Sequence, residues 1–199
     1  MTKLSDELAP SLKERQGAFT RQLILDAAVA QLEAGTGVPT LRAVAQRANL
    51  AERTVFRYFA SREELLDALA PEVSRRMELP PLPRAPGDLV DAPRALYRAF
   101  ESHVLLTKAA LHSELYERIR ETTARERWNA VKALLDEWAP AAGERERKLA
   151  AANIRYVLSA SSWHYYRFYF AFSLADSVAA ATQVVRLALA DLRAAGGIR

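Results

Sequence analysis

Arginines are concentrated in one short stretch of this sequence. Residues 40–62 contain five arginines and one acid, Glu52, although the whole chain carries a formal charge of only +4. A guanidinium neutralises phosphate groups and can also make paired hydrogen bonds to the edge of guanine. This pattern predicts contact with a polyanion, with a solvated helix face as the alternative interpretation. The arginines are Arg42, Arg47, Arg53, Arg57 and Arg62.

Residues suited to catalysis are present without the spacing that catalysis requires. Ser161, Ser162, His164 and Asp176 include the residue types of a hydrolase triad, but no nucleophile-elbow motif positions a serine. The three histidines form no His-x-x-x-His or Glu-x-x-His pair, and the chain has no cysteine. We therefore expect no enzyme activity, no metal site and no cofactor. The weaker alternative to a protein without enzyme activity is a hydrolase that uses serine and histidine residues of the C-terminal half of the chain.

Helices must position these residues, because apolar side chains recur at helical spacing along nearly the whole chain. No Asn-Gly or Asp-Gly turn separates alternating runs, so the sequence predicts an all-α fold. A proline-rich stretch at 79–87 predicts a linker between a domain at 16–78 and a larger helical domain at 88–199. Residues 1–15 lack strong periodicity and are expected to form a mobile tail.

The second and third helices of the first domain are predicted to be short. Thr40 is suited to cap a helix over Leu41–Ala48, and Asn49 supplies a turn at positive φ. Another helix follows over Ala51–Tyr58. Two short helices joined by a tight turn form a helix-turn-helix, whose second helix can enter the major groove of DNA.

Longer helices must support this motif, since two short helices cannot bury their apolar sides alone. The first helix is predicted over 20–34, with Thr20 as its N-cap. The fourth begins with a capping box formed by Ser61 and Glu64. Pro71 interrupts the pattern of the fourth helix, where it predicts either a bend or an early end.

The residues of this segment resemble a known family, the TetR-type repressors. The similarity lies in the runs T-L-R-A-V-A-Q-R-A-N-L-A at 40–51 and T-V-F-R-Y-F at 54–59. It extends upstream through 24–28 and downstream through 61–66, and covers about residues 20–70 in all. The resemblance implies an all-helical, homodimeric bacterial transcription regulator that a small ligand releases from DNA.

The resemblance also implies which residues meet DNA. It places the recognition helix over 51–58, and it puts Tyr58 and Arg62 where the family contacts phosphate. Ala51 and Phe56 depart from the family's frequent Ser and Tyr, so phosphate affinity is expected to depend more on Tyr58 and the arginines. The implied DNA-binding residues are Thr40, Arg42, Glu52, Arg53, Thr54, Phe56, Arg57, Tyr58 and Arg62.

Aromatic residues crowd the end of a helix predicted over 144–172, where seven of the ten residues at 163–172 are aromatic. On an α-helix they occupy two faces, one for the protomer's own core and one for a partner. With the apolar stripe of the last helix they predict a four-helix dimer interface, a closed monomeric core being the alternative. The predicted interface residues are Tyr165, Phe168, Phe172, Val178, Val185 and Leu189.

The middle helices combine polar groups with apolar neighbours, which is the composition of a ligand pocket. Their richness in aromatic residues predicts a small apolar or aromatic effector, although each residue also has ordinary core or surface packing as an alternative. The predicted ligand-binding residues are Phe100, His103, Leu106, Thr107, Tyr116, Trp128, Tyr156, Ser159 and Trp163.

These features predict a cytoplasmic regulator that binds a palindromic operator in double-stranded DNA, and the resemblance implies that it leaves the operator when the effector binds. No apolar run approaches the roughly 20 residues that a membrane-spanning helix needs, so no membrane partner is expected. The N-terminal residues do not resemble a secretory leader. The main non-catalytic alternative is a helical interaction module whose basic face binds an acidic partner.

Overall fold

The computed structural model describes residues 11–35 and 39–196, with only the backbone described at Thr122. The described residues form two compact units, one ending at Leu69 and the other beginning at Ala70. Their regular structure is helical and includes no strand, which confirms the all-α prediction. The domain limits at 78 and 87 stay a prediction. The backbone from Leu79 to Ala85 is not helical, in keeping with its prolines.

The first unit is built around two short helices. The second helix packs against both the first and the third. Val44 and Val55 are completely buried and Phe59 is 1% exposed, so each short helix turns its apolar side inward. The helices are α1 (Leu12–Glu33), α2 (Leu41–Arg47), α3 (Glu52–Tyr58) and α4 (Arg62–Arg76), the last of which continues into the second unit.

The prediction that the first helix begins at Thr20 is wrong, since α1 begins eight residues earlier. Ser11 caps it: the Ser11 Oγ accepts a hydrogen bond from the Glu14 amide at 3.2 Å, and the Glu14 carboxylate accepts one from the Ser11 amide at 2.7 Å. Thr20 lies inside the helix, where its hydroxyl donates to the Gln16 carbonyl at 2.9 Å. Residues 12–15 of the expected tail are therefore helical, and residues 1–10 lie outside the described residues.

Asn49 forms the turn between α2 and α3 with φ +53°, which confirms the predicted left-handed residue. The short Asn side chain tolerates this conformation better than most non-glycine residues do. The Leu50 amide then donates to the Ala45 carbonyl at 2.9 Å and closes the turn. The angle between the two helices thus depends on one residue with an unusual backbone conformation.

Asn49→Ala is expected to lower the free energy of unfolding by about 1 kcal/mol, because alanine is strained at positive φ. Asn49→Gly is the matched control, and it is expected to leave the stability unchanged or to raise it slightly. Urea unfolding followed by circular dichroism measures both variants. Equal stability of the two variants would show that the turn is not strained.

Pro71 lies inside α4, which continues to Arg76, so the prediction of an early helix end is wrong. The proline side chain is exposed. Its ring removes one backbone donor, yet the side chains on either side remain buried: Ala70 is 3% exposed and Val73 is completely buried. Burial of these neighbours offsets the missing hydrogen bond.

Seven α-helices and two π-helical turns follow in the described part of the second unit. The main core forms where the first, fourth, fifth and last of these helices pack together. Within it the Tyr97 hydroxyl donates to the Val157 carbonyl at 2.8 Å, and burial raises the pKa of Tyr97 above its ordinary value. The helices are α5 (Pro86–Ser102), α6 (Val104–Leu111), α7 (Leu115–Ile119), α8 (Arg125–Trp138), α9 (Glu144–Val157), α10 (Ala160–His164) and α11 (Leu174–Gly196).

The single helix predicted over 144–172 is wrong, because α9 ends at Val157 and a new helix starts at Ala160. Ser159 causes the break. Its Oγ accepts a hydrogen bond from the Ser162 amide at 3.2 Å, so it caps α10 while its own backbone is extended. A serine between two helical patterns is a start signal that apolar periodicity alone does not reveal.

The aromatic run leaves the α-helical geometry in a π-helical turn, Tyr165–Tyr169, followed by Ala171 at φ +56°. The two faces expected of an α-helix therefore do not hold. An α-helix would place Phe170 on the same face as the buried Trp163, but Phe170 is 51% exposed. Arg167 fixes the turn by donating to Glu101 at 2.7 Å and to the Phe172 carbonyl at 2.5 Å.

Candidate nucleic-acid interface and effector cavity

Caps determine where the helices of the helix-turn-helix begin. Thr40 Oγ1 accepts a hydrogen bond from the Ala43 amide at 3.2 Å, which starts α2 as predicted. At the start of α4, Ser61 Oγ accepts from the Glu64 amide at 3.2 Å, and the Glu64 carboxylate accepts from the Ala60 amide at 2.8 Å. Both ends of the motif are thus set by side chains close in sequence.

The residues predicted to meet DNA lie mainly on the surface of the first unit. Phe56 is 48% exposed while Phe59 is 1% exposed, so only the second ring belongs fully to the core. Val55, directly before Phe56 in sequence, is completely buried and anchors α3. Exposed residues among the predicted set are Thr40, Arg42, Glu52, Arg53, Phe56 and Arg57, and half-buried ones are Thr54, Tyr58 and Arg62.

An ion pair joins the two short helices at this surface. The Arg42 Nε lies 3.5 Å from a Glu52 carboxylate oxygen, with both side chains largely in solvent. Such an exposed pair adds little stability, but it neutralises the one acid among residues 40–62. The Arg57 guanidinium lies 5.3 Å from the centre of the Tyr58 ring. The exposed face of α3 therefore has a net positive charge.

The first turns of α1, which apolar periodicity did not predict, belong to the same surface. The Tyr58 hydroxyl lies 4.0 Å from where a Cβ on Gly17 would stand, so α1 passes directly beside this ring. The Arg21 guanidinium lies 5.0 Å from the centre of the Phe59 ring. Lys13 and Arg15 are exposed on the same helix. The Ser11-x-x-Glu14 capping box was the signal that could have revealed this extension.

The second unit contains a cavity of about 520 Å³. This volume suits a small organic molecule, since ligand pockets span roughly 300–1,000 Å³. Apolar side chains form much of its wall, including Met77, Phe100, Leu111 and Trp128, and hydroxyl groups are distributed among them. Of the predicted ligand-binding residues, the lining contains Phe100, Thr107, Tyr116, Trp128, Tyr156 and Ser159.

Three other predicted ligand-binding residues do not line this cavity. Leu106 is 1% exposed and Trp163 is completely buried, so both belong to the packed interior. The Trp163 indole N–H donates to the Glu101 carboxylate at 3.1 Å. His103 ends α5 and is half-buried. Residue type alone therefore does not predict whether a polar or aromatic residue lines the cavity or lies in the packed core.

The residues predicted at the dimer interface fall into two groups. Tyr165 and Phe168 are 52% and 43% exposed, and Phe172 is 39% exposed. Val185 is completely buried and Leu189 is 8% exposed, both within the protomer's own core, and Val178 packs against that core. The stripe on α11 that contains Val185 and Leu189 therefore faces its own unit, because α11 packs on α5 and α9.

The serine, histidine and aspartate residues considered for a hydrolase triad contact other groups instead of one another as a triad would. Ser162 Oγ donates to backbone carbonyls, among them that of Val157 at 2.9 Å, and Ser161 pairs with the Tyr116 hydroxyl at 2.9 Å. Asp176 accepts from the Ser173 hydroxyl at 2.6 Å. His164 packs edge-on against His112, with ring centres 5.1 Å apart. Burial, with the charges of neighbouring groups, lowers the pKa of His164 below its ordinary value.

Residues 11–35 and 39–196 bring together no group of three His, Asp or Glu side chains able to hold a metal ion. None of the helices in that part of the chain has the length and apolar character needed to cross a bilayer.

The first unit is similar to a known protein family. Residues 24–69 match the family model described as bacterial regulatory proteins, tetR family. The matched residues contain α2, the Asn49 turn, α3 and the start of α4, the elements whose caps and charges are described above. No curated protein matches the chain at a significant level. The chain therefore contains the helix-turn-helix domain of the tetR family of bacterial regulatory proteins, which supports a role as a transcriptional regulator.

Proposed function

We propose that the protein is a ligand-responsive repressor that binds a palindromic operator in double-stranded DNA as a homodimer. The observation that carries the proposal is the exposed basic face of α2 and α3, on which Arg42 holds the Glu52 carboxylate and Arg53 and Arg57 remain exposed. A helix with such a face fits the major groove, where arginine can pair with guanine.

The exposed aromatic side chains of the second unit support homodimer formation. Tyr165, Tyr169 and Phe170 are each more than half exposed and lie next to Phe168 and Phe172. Contiguous apolar surface of this kind marks an interaction site. We place the interface on this aromatic surface, residues 165–172, and leave out Val185 and Leu189 because they lie in the protomer's core. Two-fold symmetry would set two recognition helices about 34–36 Å apart on a palindrome.

The cavity of about 520 Å³ supports a small-molecule effector. The apolar and aromatic side chains of its wall suit an apolar or aromatic body. We propose that the effector binds there and releases the protein from the operator. Release requires that the effector bind the DNA-free conformation more tightly than the DNA-bound one.

Selection of fragments from a random DNA pool by the purified full chain tests DNA recognition. We expect recovery of one palindromic site, bound at least about 10³ times more tightly than bulk DNA. Retention of all fragments without enrichment would contradict the proposal. Preferential capture of an acidic protein over every DNA would favour the interaction-module alternative. Salt dependence would not separate these functions, because both bindings weaken with salt.

Arg57→Ala is expected to weaken binding to the selected operator by about 1–3 kcal/mol and to leave binding to random DNA almost unchanged. Arg62→Ala is expected to weaken binding to both DNAs to a similar degree, because a phosphate contact is independent of sequence. Fluorescence anisotropy with both DNAs at one salt concentration measures the two affinities. Arg145→Ala, an exposed arginine of α9, is the control. An equal loss on both DNAs in Arg57→Ala would contradict its role in base recognition.

A further inference from the structure

Arginine side chains form part of the cavity wall in the second unit. Arg120, Arg127 and Arg155 line the cavity, whereas no aspartate or glutamate of the part of the chain that the structure describes lines it. Arg120 is exposed and pairs with Glu117 at 3.3 Å, so its charge is already balanced near the surface. Arg127 on α8 and Arg155 on α9 are half-buried, and the charge of Arg127 disfavours the charged form of Arg155. The cavity therefore has a positive region inside an otherwise apolar wall.

The hydrogen bonds of Arg127 and Arg155 leave donors unused. Arg127 Nη2 donates to the Pro80 carbonyl at 2.5 Å, and Arg155 Nη1 donates to the Leu158 carbonyl at 2.7 Å. The Nε atoms of both arginines are buried and find no acceptor among the described residues. A guanidinium carries five N–H donors. Buried donors of this kind are normally satisfied, so these two need an explanation.

Among the described residues of the second unit, no carboxylate forms a direct ion pair with Arg127 or Arg155. Asp88 and Asp91 line an adjacent cleft that both arginines also reach. The Asp88 carboxylate, however, accepts from the backbone amides of Arg84 and Ala85, and among the described residues neither acid forms an ion pair with the two arginines.

The electrostatic environment is unfavourable for two cations. Burial lowers the pKa of Arg127 below its ordinary value, and Glu126 offsets this only in part. Burial, aided by the charge of Arg127, lowers the pKa of Arg155 to about 10. Arg155 thus remains protonated at neutral pH. Holding two charged groups in this setting costs free energy, and an anion between them would offset that cost.

We propose that the effector is an organic anion whose carboxylate, sulfonate or similar oxyanion binds Arg127 and Arg155 while its apolar body lies against Phe100, Leu111 and Trp128. Guanidinium groups are well suited to oxyanions, because their parallel N–H donors match two oxygen atoms. The inference rests on the proposed ligand response and narrows the effector from an apolar molecule to an amphipathic acid.

A pair of fluorescent dyes with the same ring system tests the charge preference. 8-Anilinonaphthalene-1-sulfonate carries a sulfonate, and N-phenyl-1-naphthylamine is its neutral counterpart. At pH 7 and in the absence of DNA, we expect the full chain to bind the sulfonate at least about tenfold more tightly, as charge-assisted hydrogen bonds imply. Equal or tighter binding of the neutral dye, or no binding of either dye, would overturn the proposal.

Variants separate a ligand-binding role from a structural one. Arg155→Gln and Arg127→Gln are expected to abolish the preference for the sulfonate while leaving binding of the neutral dye unchanged, which also reports an intact cavity. Arg145→Gln, exposed on α9, is expected to retain the preference. Equal weakening of both dyes in Arg155→Gln would mean that the arginine only supports the fold, and would overturn the proposal. The selection of operator DNA uses neither dye. A failure of the proposed DNA-binding function can therefore be distinguished from a failure of the anion-binding proposal.

Discussion

Replacing both Tyr165 and Tyr169 by glutamate is expected to yield a monomer that binds the operator at least about 100-fold more weakly than the native chain. The two side chains are 52% and 74% exposed, and their rings contact each other with centres 5.3 Å apart. Glutamates from both protomers would bring like charges into an apolar interface, which costs free energy without touching the protomer's core. Each monomer would then bind one half-site alone and lose the gain from simultaneous binding.

Analytical ultracentrifugation measures the oligomeric state, and anisotropy with the selected operator measures the affinity. Leu149→Glu on α9 is the matched control, since Leu149 is 49% exposed and lies outside the aromatic surface. We expect that control to remain dimeric and to bind normally. A double variant that stays dimeric, or that becomes monomeric with unchanged operator affinity, would contradict the proposed interface.

The helix-turn-helix could be predicted because residues close in sequence determine it. Two of its helices begin at N-caps, Thr40 and Ser61, which bind backbone amides three positions later. The turn between its short helices is formed by Asn49 at positive φ. The start of α1 also depends on a cap close in sequence, and the predicted cap, Thr20, is the wrong one. Two candidate caps, Ser11 and Thr20, were present, and only Ser11 has a glutamate three residues later to complete a capping box.

Apolar periodicity predicts that a helix has a buried face, but not which element covers that face. Val185 and Leu189 form a stripe on α11 that suits a dimer as well as a core, and in the protomer α5 and α9 cover it. The aromatic run posed a different difficulty, because a π-helical turn shifts every later side chain around the axis. Its exposed surface could not be derived from α-helical spacing.

The positive region of the cavity had no signature in the sequence. Arg127 and Arg155 lie on two consecutive helices, and arginines usually face solvent. Their burial follows from the packing of α8 on α9 and from the path of the backbone at Pro80. The sequence therefore predicts an apolar effector from its aromatic residues, whereas it does not indicate that the two arginines are half-buried.

Trp163→Ala is expected to destabilise the second unit by about 3–5 kcal/mol, because the indole is completely buried and its removal leaves a cavity. The ring packs against Phe100 and Phe168 with centres 5.8 and 5.4 Å away. Its N–H also donates to Glu101, whose pKa is held below its ordinary value first by Arg167 and also by this bond. Such a loss is a large share of the roughly 5–15 kcal/mol that stabilises a folded protein.

Scanning calorimetry is expected to show the melting temperature of that unit lowered by about 10 °C or more. Trp163→Phe is the matched variant: it keeps an aromatic ring against Phe100 and loses the N–H donor, so we expect a loss of about 1–2 kcal/mol. The ratio of the two losses separates packing from the hydrogen bond to Glu101. Because the Trp163 ring supports Phe168 of the aromatic surface, the alanine variant is also expected to weaken dimer formation. A stable Trp163→Ala variant, or equal losses in both variants, would mean that the indole does not anchor the aromatic surface.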